Sequence, residues 1–370
     1  MDKGIHASTG CAASGGEINL CYLGDNRDSM RKMIANGLSG KVQCIVTSPP
    51  YWGLRDYGAE GQIGLEPTLT EFLAHLVEVF GLAHQLLADD GTLWLNMGDS
   101  YSSGGRTSYD TDDKLNARGH SSRPCSGLKP KDLVGQPWRL AFALQDAGWY
   151  LRQDIIWHKP NPMPESVRDR CTKAHEYLFL LTKSERYYFD QEAIIEPCSP
   201  NTHARLAQNV AEQIGSARAN GGAKTNGNMK AVARSSVDQG VGHRSGPPGN
   251  PSPTRYPRKL AEAGRGKKNN VSFDAAMAIM PTMRNKRSVW TIATESYSEA
   301  HFATFPQALV EPCILAGSRP GDIVFDPFLG SGTTAQVAQR LGRKWIGCEL
   351  NPLYVQLQAE RTRQMGMELI

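Results

Sequence analysis

Two short stretches hold residue types and spacings that suit chemistry. Thr47-Ser48-Pro49-Pro50-Tyr51-Trp52 follows directly on the apolar run VQCIV, and Asp326-Pro-Phe-Leu-Gly330-Ser-Gly332-Thr333 follows DIVF. Two consecutive prolines cannot continue a central strand, so the first stretch leaves the sheet as a rigid turn. That turn offers the Ser48 hydroxyl and the Pro49 carbonyl as acceptors, with Pro49 and Pro50 fixing their direction. Tyr51 adds a flat ring on which a planar group can stack; Trp52 either walls the same pocket or packs inside the fold.

The second stretch reads as a strand, a glycine turn and a helix start. Glycines there let a ligand approach the backbone, and the helix start presents free N–H groups. Dinucleotide sites place G-x-G-x-x-G at such a turn. Here Gly330 and Gly332 are followed by Thr333, and Asp326 stands at the strand tip. A carboxylate in that place would repel a pyrophosphate but would hold an ammonium. Glu349, at the end of the next strand-like run KWIGCE, sits where an acid can accept two ribose hydroxyls. A nucleoside joined to an amino acid, S-adenosylmethionine, fits this set better than NAD.

Alternating elements must position both stretches. Strands are expected at 17–25, at VQCIVT, at 91–99, at WYLRQDIIWHK and HEYLFLLTK, at DIVFD and at KWIGCEL, with order resuming after the insertion at SVWTI. The spacing of Phe72, Leu76, Val79, Phe80, Ala83 and Leu86 predicts an amphipathic helix over 70–87. Further helices are expected from Asp28 to Asn36, over 137–148, at FPQALVEPCILAG and at TTAQVAQRLG. Strands alternating with helices predict an α/β fold with a doubly wound, mostly parallel seven-stranded sheet. Residues 100–135, rich in Ser, Gly, Arg and Asp, are expected to form a long mobile loop.

Composition bounds the partners. The net charge of +4 is unevenly spread: residues 197–290 hold 15 Lys and Arg against 4 Asp and Glu, so the remainder is acidic. This Gly- and Pro-rich, weakly periodic segment is expected to be an insertion or linker with affinity for a polyanion such as DNA. The 8 cysteines are scattered, without C-x-x-C pairs or metal-ligand clusters, so neither a disulfide scaffold nor a metal site is expected. No apolar stretch has the length of a membrane span, and the chain reads as cytoplasmic.

With both stretches in hand, the sequence resembles the amino-group DNA methyltransferases of the permuted β class, in which the catalytic motif precedes the cofactor motif. The resemblance runs from about Ile18 to Arg361, outside the two loops. It is carried by TSPPYWGLRDYG, LWLNMGD, HEYLFLLTKSERYYFD, DIVFDPFLGSGTT and GCELNPLY. It implies a circularly permuted Rossmann-like fold that binds S-adenosylmethionine and methylates the exocyclic amine of an everted base in double-stranded DNA. Residues 17–196 would form the catalytic half, 197–287 the basic target-recognition insertion and 288–363 the cofactor half.

The resemblance assigns Ser48, Pro49, Pro50 and Tyr51 to catalysis. The cofactor would meet Asp25, as the adenine contact, together with Asp326, Phe328, Gly330, Gly332, Thr333 and Glu349. Trp52, Arg255, Arg258 and Lys259 are the expected DNA contacts. Adenine enzymes of the family usually carry Asp in the place of Ser48, so cytosine N4 is the expected target and adenine N6 the alternative. A homodimer and a restriction endonuclease acting on the same site are the partners that the resemblance leaves open. His175 and His301 read as structural. Two other classes compete: an inactive DNA-binding relative, against which the intact motifs argue, and an NAD-linked oxidoreductase, which would need a third glycine and a catalytic His or a Tyr–Lys pair.

Overall fold

The computed structural model describes residues 18–102, 128–198, 283–295 and 305–363. It divides into two compact units, one from Met1–Ile195 with Asn285–Ile370 and one from Glu196–Arg284. In the first unit β1 (Leu20–Leu23), α1 (Asn26–Met33), β2 (Val42–Thr47), α2 (Leu69–Leu86), β3 (Leu87–Met97), α3 (Gln136–Asp146), β4 (Tyr150–His158) and β5 (His175–Thr182) follow in order. In the second unit β6 (Glu196–Pro197) pairs antiparallel with β7 (Met283–Arg284). The first unit resumes with β8 (Val289–Thr291), α4 (Gln307–Gly317), β9 (Ile323–Asp326), α5 (Thr333–Arg340), β10 (Lys344–Glu349) and α6 (Pro352–Arg363).

The strands of the first unit form one eight-stranded sheet in the order β1-β10-β9-β2-β3-β5-β4-β8. Only β5 runs against its neighbours; the other ladders are parallel. The sequence pattern predicts seven strands, and the extra one is β8, three residues long, which pairs with β4 at the sheet edge. So short a run carries too little alternation to be read as a strand; a buried Trp290 anchors it.

All six residues of β2 are buried, as expected of a central parallel strand covered on both faces. Its side chains alternate between two apolar layers. Val42 and Ile45 join Phe72, Phe80 and Leu140 on the face covered by α1, α2 and α3, whereas Cys44 and Val46 join Val310, Ile314 and Val337 on the face of α4 and α5.

Two element boundaries differ from the sequence reading. Asp25, rather than Asp28, caps α1, its side chain accepting from the Arg27 N–H at 2.8 Å. The residue that ends β1's turn thus starts the next helix. Thr68 and Glu71 form a capping box at the start of α2, and β3 begins directly at Leu87, because Leu87 is buried and pairs with Val42. The described residues contain no helix long and apolar enough to cross a membrane.

Candidate active site

The two chemistry-bearing stretches meet because β2 and β9 are parallel neighbours. Ile45 lies beside Phe325, which brings Thr47 level with the end of β9. The Thr47 hydroxyl donates to the Asp326 carboxylate at 2.6 Å across 279 positions of chain. Ligands of open α/β sheets bind outside the carboxyl ends of the strands, and both turns leave from there.

A cavity of about 960 Å³ opens at this edge. Ser48, Pro49, Pro50 and Tyr51 line it from one side; Asp25, Phe328, Gly330, Thr333 and Glu349 line it from the other. These expected catalytic and cofactor residues therefore share one space, and three other expected site residues do not line it.

The first exception is Asp326. It has no exposed surface and does not line the cavity. One of its oxygens accepts from Thr47 Oγ1 and the Phe328 N–H, and the other accepts from Thr334 Oγ1 at 2.7 Å. Burial pushes its carboxyl up to about 6 against the pull of these three donors. Through these bonds it ties the end of β9 to the end of β2 and to the start of α5. The second is Gly332, which caps α5 at φ 91° and lies against Gln358, where an added Cβ would come within 3.0 Å of the side chain. Its place is taken in the cavity wall by Ser331. The third is Trp52, which is 6% exposed, donates its indole N–H to the Glu66 carbonyl at 2.9 Å and belongs to the core. Arg255, Arg258, Lys259 and His301, and most of the loop expected over 100–135, lie outside the described residues.

The Ser48–Tyr51 turn is held by side chains from the next two strands of the sheet, β3 and β5. Ser48 donates its hydroxyl to Asn96 Oδ1 at 3.2 Å, and Asn96 is itself oriented by donating Nδ2 to the Tyr177 carbonyl at 3.1 Å. With its proton directed at Asn96, Ser48 keeps its lone pairs for a donor in the cavity. Tyr51 donates its hydroxyl to Glu176 Oε2 at 2.9 Å, and Lys159 pairs with the other Glu176 oxygen while lying 4.3 Å above the Trp157 ring. Burial, then the Glu176 charge, keep the Tyr51 phenol protonated far above its ordinary range. Gly98 makes room for this ring: a Cβ there would stand 2.7 Å from Tyr51 Cε2.

The glycine turn is held by backbone groups. Gly330 donates its N–H to Glu349 Oε2 at 2.8 Å, and the Asn351 N–H reaches Oε1 at 2.7 Å. Burial raises the Glu349 carboxyl above its ordinary value. Gly347 lets the turn close on β10, since a Cβ there would meet Leu329 Cδ2 at 2.4 Å. Asp25 is held below the usual carboxylate range, first by the hydrogen bond from Arg27, which pairs with it at 2.6 Å.

Asn96, Lys159, Glu176, Tyr57 and Tyr354 also line or brace the cavity and escaped the sequence reading as site residues. For Asn96 and Glu176 a signal existed, since both fall in stretches that carry the family resemblance. Tyr57 and Tyr354 also fall in such stretches, TSPPYWGLRDYG and GCELNPLY, whereas Lys159 falls in none. Among the described residues no His, Cys, Asp and Glu cluster could hold a metal ion, and the described cysteines are free thiols.

The fold and this site define an amino-group DNA methyltransferase. Residues 42–361 match the N6/N4 DNA methylase family, and the chain belongs to it. It is 44% identical to the type II methyltransferase M.Cfr9I of Citrobacter freundii over 325 residues, covering 87% of this chain and 82% of the relative. It is also 44% identical to the type II methyltransferase M.SmaI of Serratia marcescens, covering 92% and 89%. Among solved structures, the cytosine-N4-specific PvuII DNA methyltransferase shares the fold with a TM-score of 0.52 at 18% identity, covering 94% of this chain and 87% of that one. A Thermus thermophilus protein complexed with S-adenosyl-L-methionine does so with a TM-score of 0.50 at 21% identity, covering 94% of both chains.

Proposed function

We propose that the protein is a cytosine-N4 DNA methyltransferase of the permuted β class, taking its methyl group from S-adenosylmethionine. The observation that carries this is the single cavity between the Ser48–Tyr51 turn and the Phe328–Thr333 turn. The wall on the Gly330 side fits the cofactor by its acceptors and its apolar faces: a partly buried Glu349, the helix-capping Asp25 and the aromatic rings of Phe328 and Tyr354. When bound, S-adenosylmethionine supplies an electrophilic methyl group on a sulfonium.

The chain's own residues prepare the nucleophile. An exocyclic amine is a poor nucleophile because its lone pair is delocalised into the base. Ser48 Oγ and the Pro49 carbonyl accept from its two N–H groups and draw the nitrogen toward tetrahedral geometry. Tyr51 stacks on the everted base, with a stacking worth about 1–3 kcal/mol by comparison with single-strand platforms. Glu176 and Lys159 lock that ring before substrate arrives, so the rate comes mostly from positioning. Serine at position 48, where the adenine enzymes of the family usually carry Asp, supports cytosine as the target. The basic segment 197–287 would grip phosphates, and the salt dependence of DNA binding tests that role.

DNA treated with the enzyme and labelled cofactor, digested to nucleosides and resolved by mass spectrometry, identifies the product. N4-methylcytosine is expected. N6-methyladenine would transfer the same site to the other base.

A further inference from the structure

The most exposed large hydrophobic residue among the described ones is Met163, at 77%. It is not on a remote surface: with Asn161, Pro162 and Pro164 it lines the same cavity as Ser48 and Tyr51. A long, unbranched apolar side chain standing in water at the mouth of a catalytic cavity has no role in folding and none in binding the amine.

The segment that carries it is built to hold it still. Lys159 donates its N–H to the Ala174 carbonyl at 2.8 Å, closing the base of the loop. Asn161 is bound twice to Thr294, donating to its hydroxyl at 3.1 Å and accepting its N–H at 3.2 Å. Arg170 reaches back to Glu165 at 2.6 Å and lies 3.9 Å above the Tyr101 ring. Prolines on both sides of Met163 restrict its backbone further. The loop thus presents Met163 as its most exposed apolar side chain, ahead of Val167 at 37%, on a braced backbone.

Extruding a nucleotide leaves a gap in the base stack, at a cost of a few kcal/mol. Proteins that distort duplexes fill or force such gaps with Phe, Leu, Ile, Met or Pro side chains inserted between base steps. We infer that Met163 is a positioning residue that enters the duplex and occupies the space vacated by the target nucleotide, holding it in the cavity. The inference rests on the DNA methyltransferase reading above and adds the element that keeps the base out.

Methyl transfer by wild type, Met163→Ala and Met163→Leu is measured on two duplexes, one with a paired target base and one with the target opposite an abasic site, where no partner opposes extrusion. If Met163 acts as a wedge, Met163→Ala loses about tenfold or more on the paired duplex and less than about twofold on the abasic one. Met163→Leu, which keeps the apolar bulk, restores most of the rate. Met163→Ala should also give less 2-aminopurine fluorescence than wild type when that base replaces the target in a paired duplex. Equal rates for wild type and Met163→Ala on the paired duplex would overturn the inference, and so would equal losses on both duplexes, which would make Met163 an ordinary wall residue. Failure of wild type to methylate either duplex would instead sink the methyltransferase reading itself.

Discussion

The two turns at the sheet edge are built by opposite means. The Ser48–Tyr51 turn is rigid in its own backbone and takes its orientation from side chains on the next two strands of the sheet, Asn96 of β3 for Ser48 and Glu176 of β5 for Tyr51. The Phe328–Thr333 turn is gripped by side chains from the C-terminal half, Arg361 donating to Ser331 Oγ and Thr333 Oγ1 and Gln358 to the Gly330 carbonyl. It is shaped by glycines, with Gly330 at φ 55° and Gly332 at φ 91°, and by backbone N–H groups that meet Glu349. One wall turns on prolines and takes its orientation from two side chains, whereas the other turns on glycines and is held at its backbone and hydroxyls by Glu349, Gln358 and Arg361. Substitutions at the first should alter the chemical step with cofactor affinity intact, and substitutions at the second the reverse.

Ser48→Ala should break the comparison most visibly if it is wrong. Loss of a preset polar partner to the reacting group is expected to lower kcat by about 100- to 1000-fold, by analogy with oxyanion-hole donors. Cofactor binding, followed by calorimetric titration, should stay within about twofold, since the hydroxyl faces the base side.

Asp326 joins both walls, so its titration reports on their joint. An acid whose folded pKa lies above its unfolded one binds the proton more tightly when folded, so its contribution to stability falls as pH rises between about 4 and 6 and is level above that. A rise of this size corresponds to about 3 kcal/mol. Asp326→Asn, which is neutral at every pH, should lack that decline relative to wild type when denaturant unfolding is compared at pH 4 and pH 7.5. In the variant Thr334 would accept from the amide and keep its own hydrogen bond to the Val46 carbonyl. Parallel pH dependences in the two proteins would show that Asp326 is not buried as a coupled knot.

Gly332→Ala sharpens the backbone-built side. Both the left-handed φ and the 3.0 Å approach to Gln358 oppose a Cβ. A loss of about 1–2 kcal/mol in stability is expected from the strained conformation, with weaker cofactor binding as the turn shifts. Single-turnover methyl transfer at saturating cofactor should change little. The smallest effect is expected at Trp52→Phe. It removes one hydrogen bond to the Glu66 carbonyl and so about 1 kcal/mol of stability, and it should leave the KM for DNA unchanged because Trp52 is core. A several-fold rise in that KM would return Trp52 to the pocket wall.

Much of the site was legible in the chain because its signals are local. Proline pairs, a glycine turn before a helix and acids at strand tips have fixed consequences within a few residues, so Ser48, Pro49, Tyr51, Gly330 and Glu349 could be named from the sequence. Asp326 was legible as an acid at a strand tip, but its burial and its partners were not. Its type and spacing announce an acid at a strand tip, but whether that acid faces the cavity or the sheet depends on its neighbour, and Thr47 lies on another strand. Lys159 is an ordinary charge in sequence; only the packing of β4 against antiparallel β5 brings it to Glu176, which holds Tyr51.

What the sequence determined alone is the set of short-range constraints: which runs extend, where the chain must turn, and which turns carry acceptors or free N–H groups. Pairing was decided by the tertiary structure. Burial of both faces of β2 selects β9 and β3 as its neighbours, and that choice brings two motifs from opposite halves of the chain to one edge. Steric and torsional rules act over a few residues, whereas strand order follows from the burial of whole surfaces, which no single stretch of sequence contains.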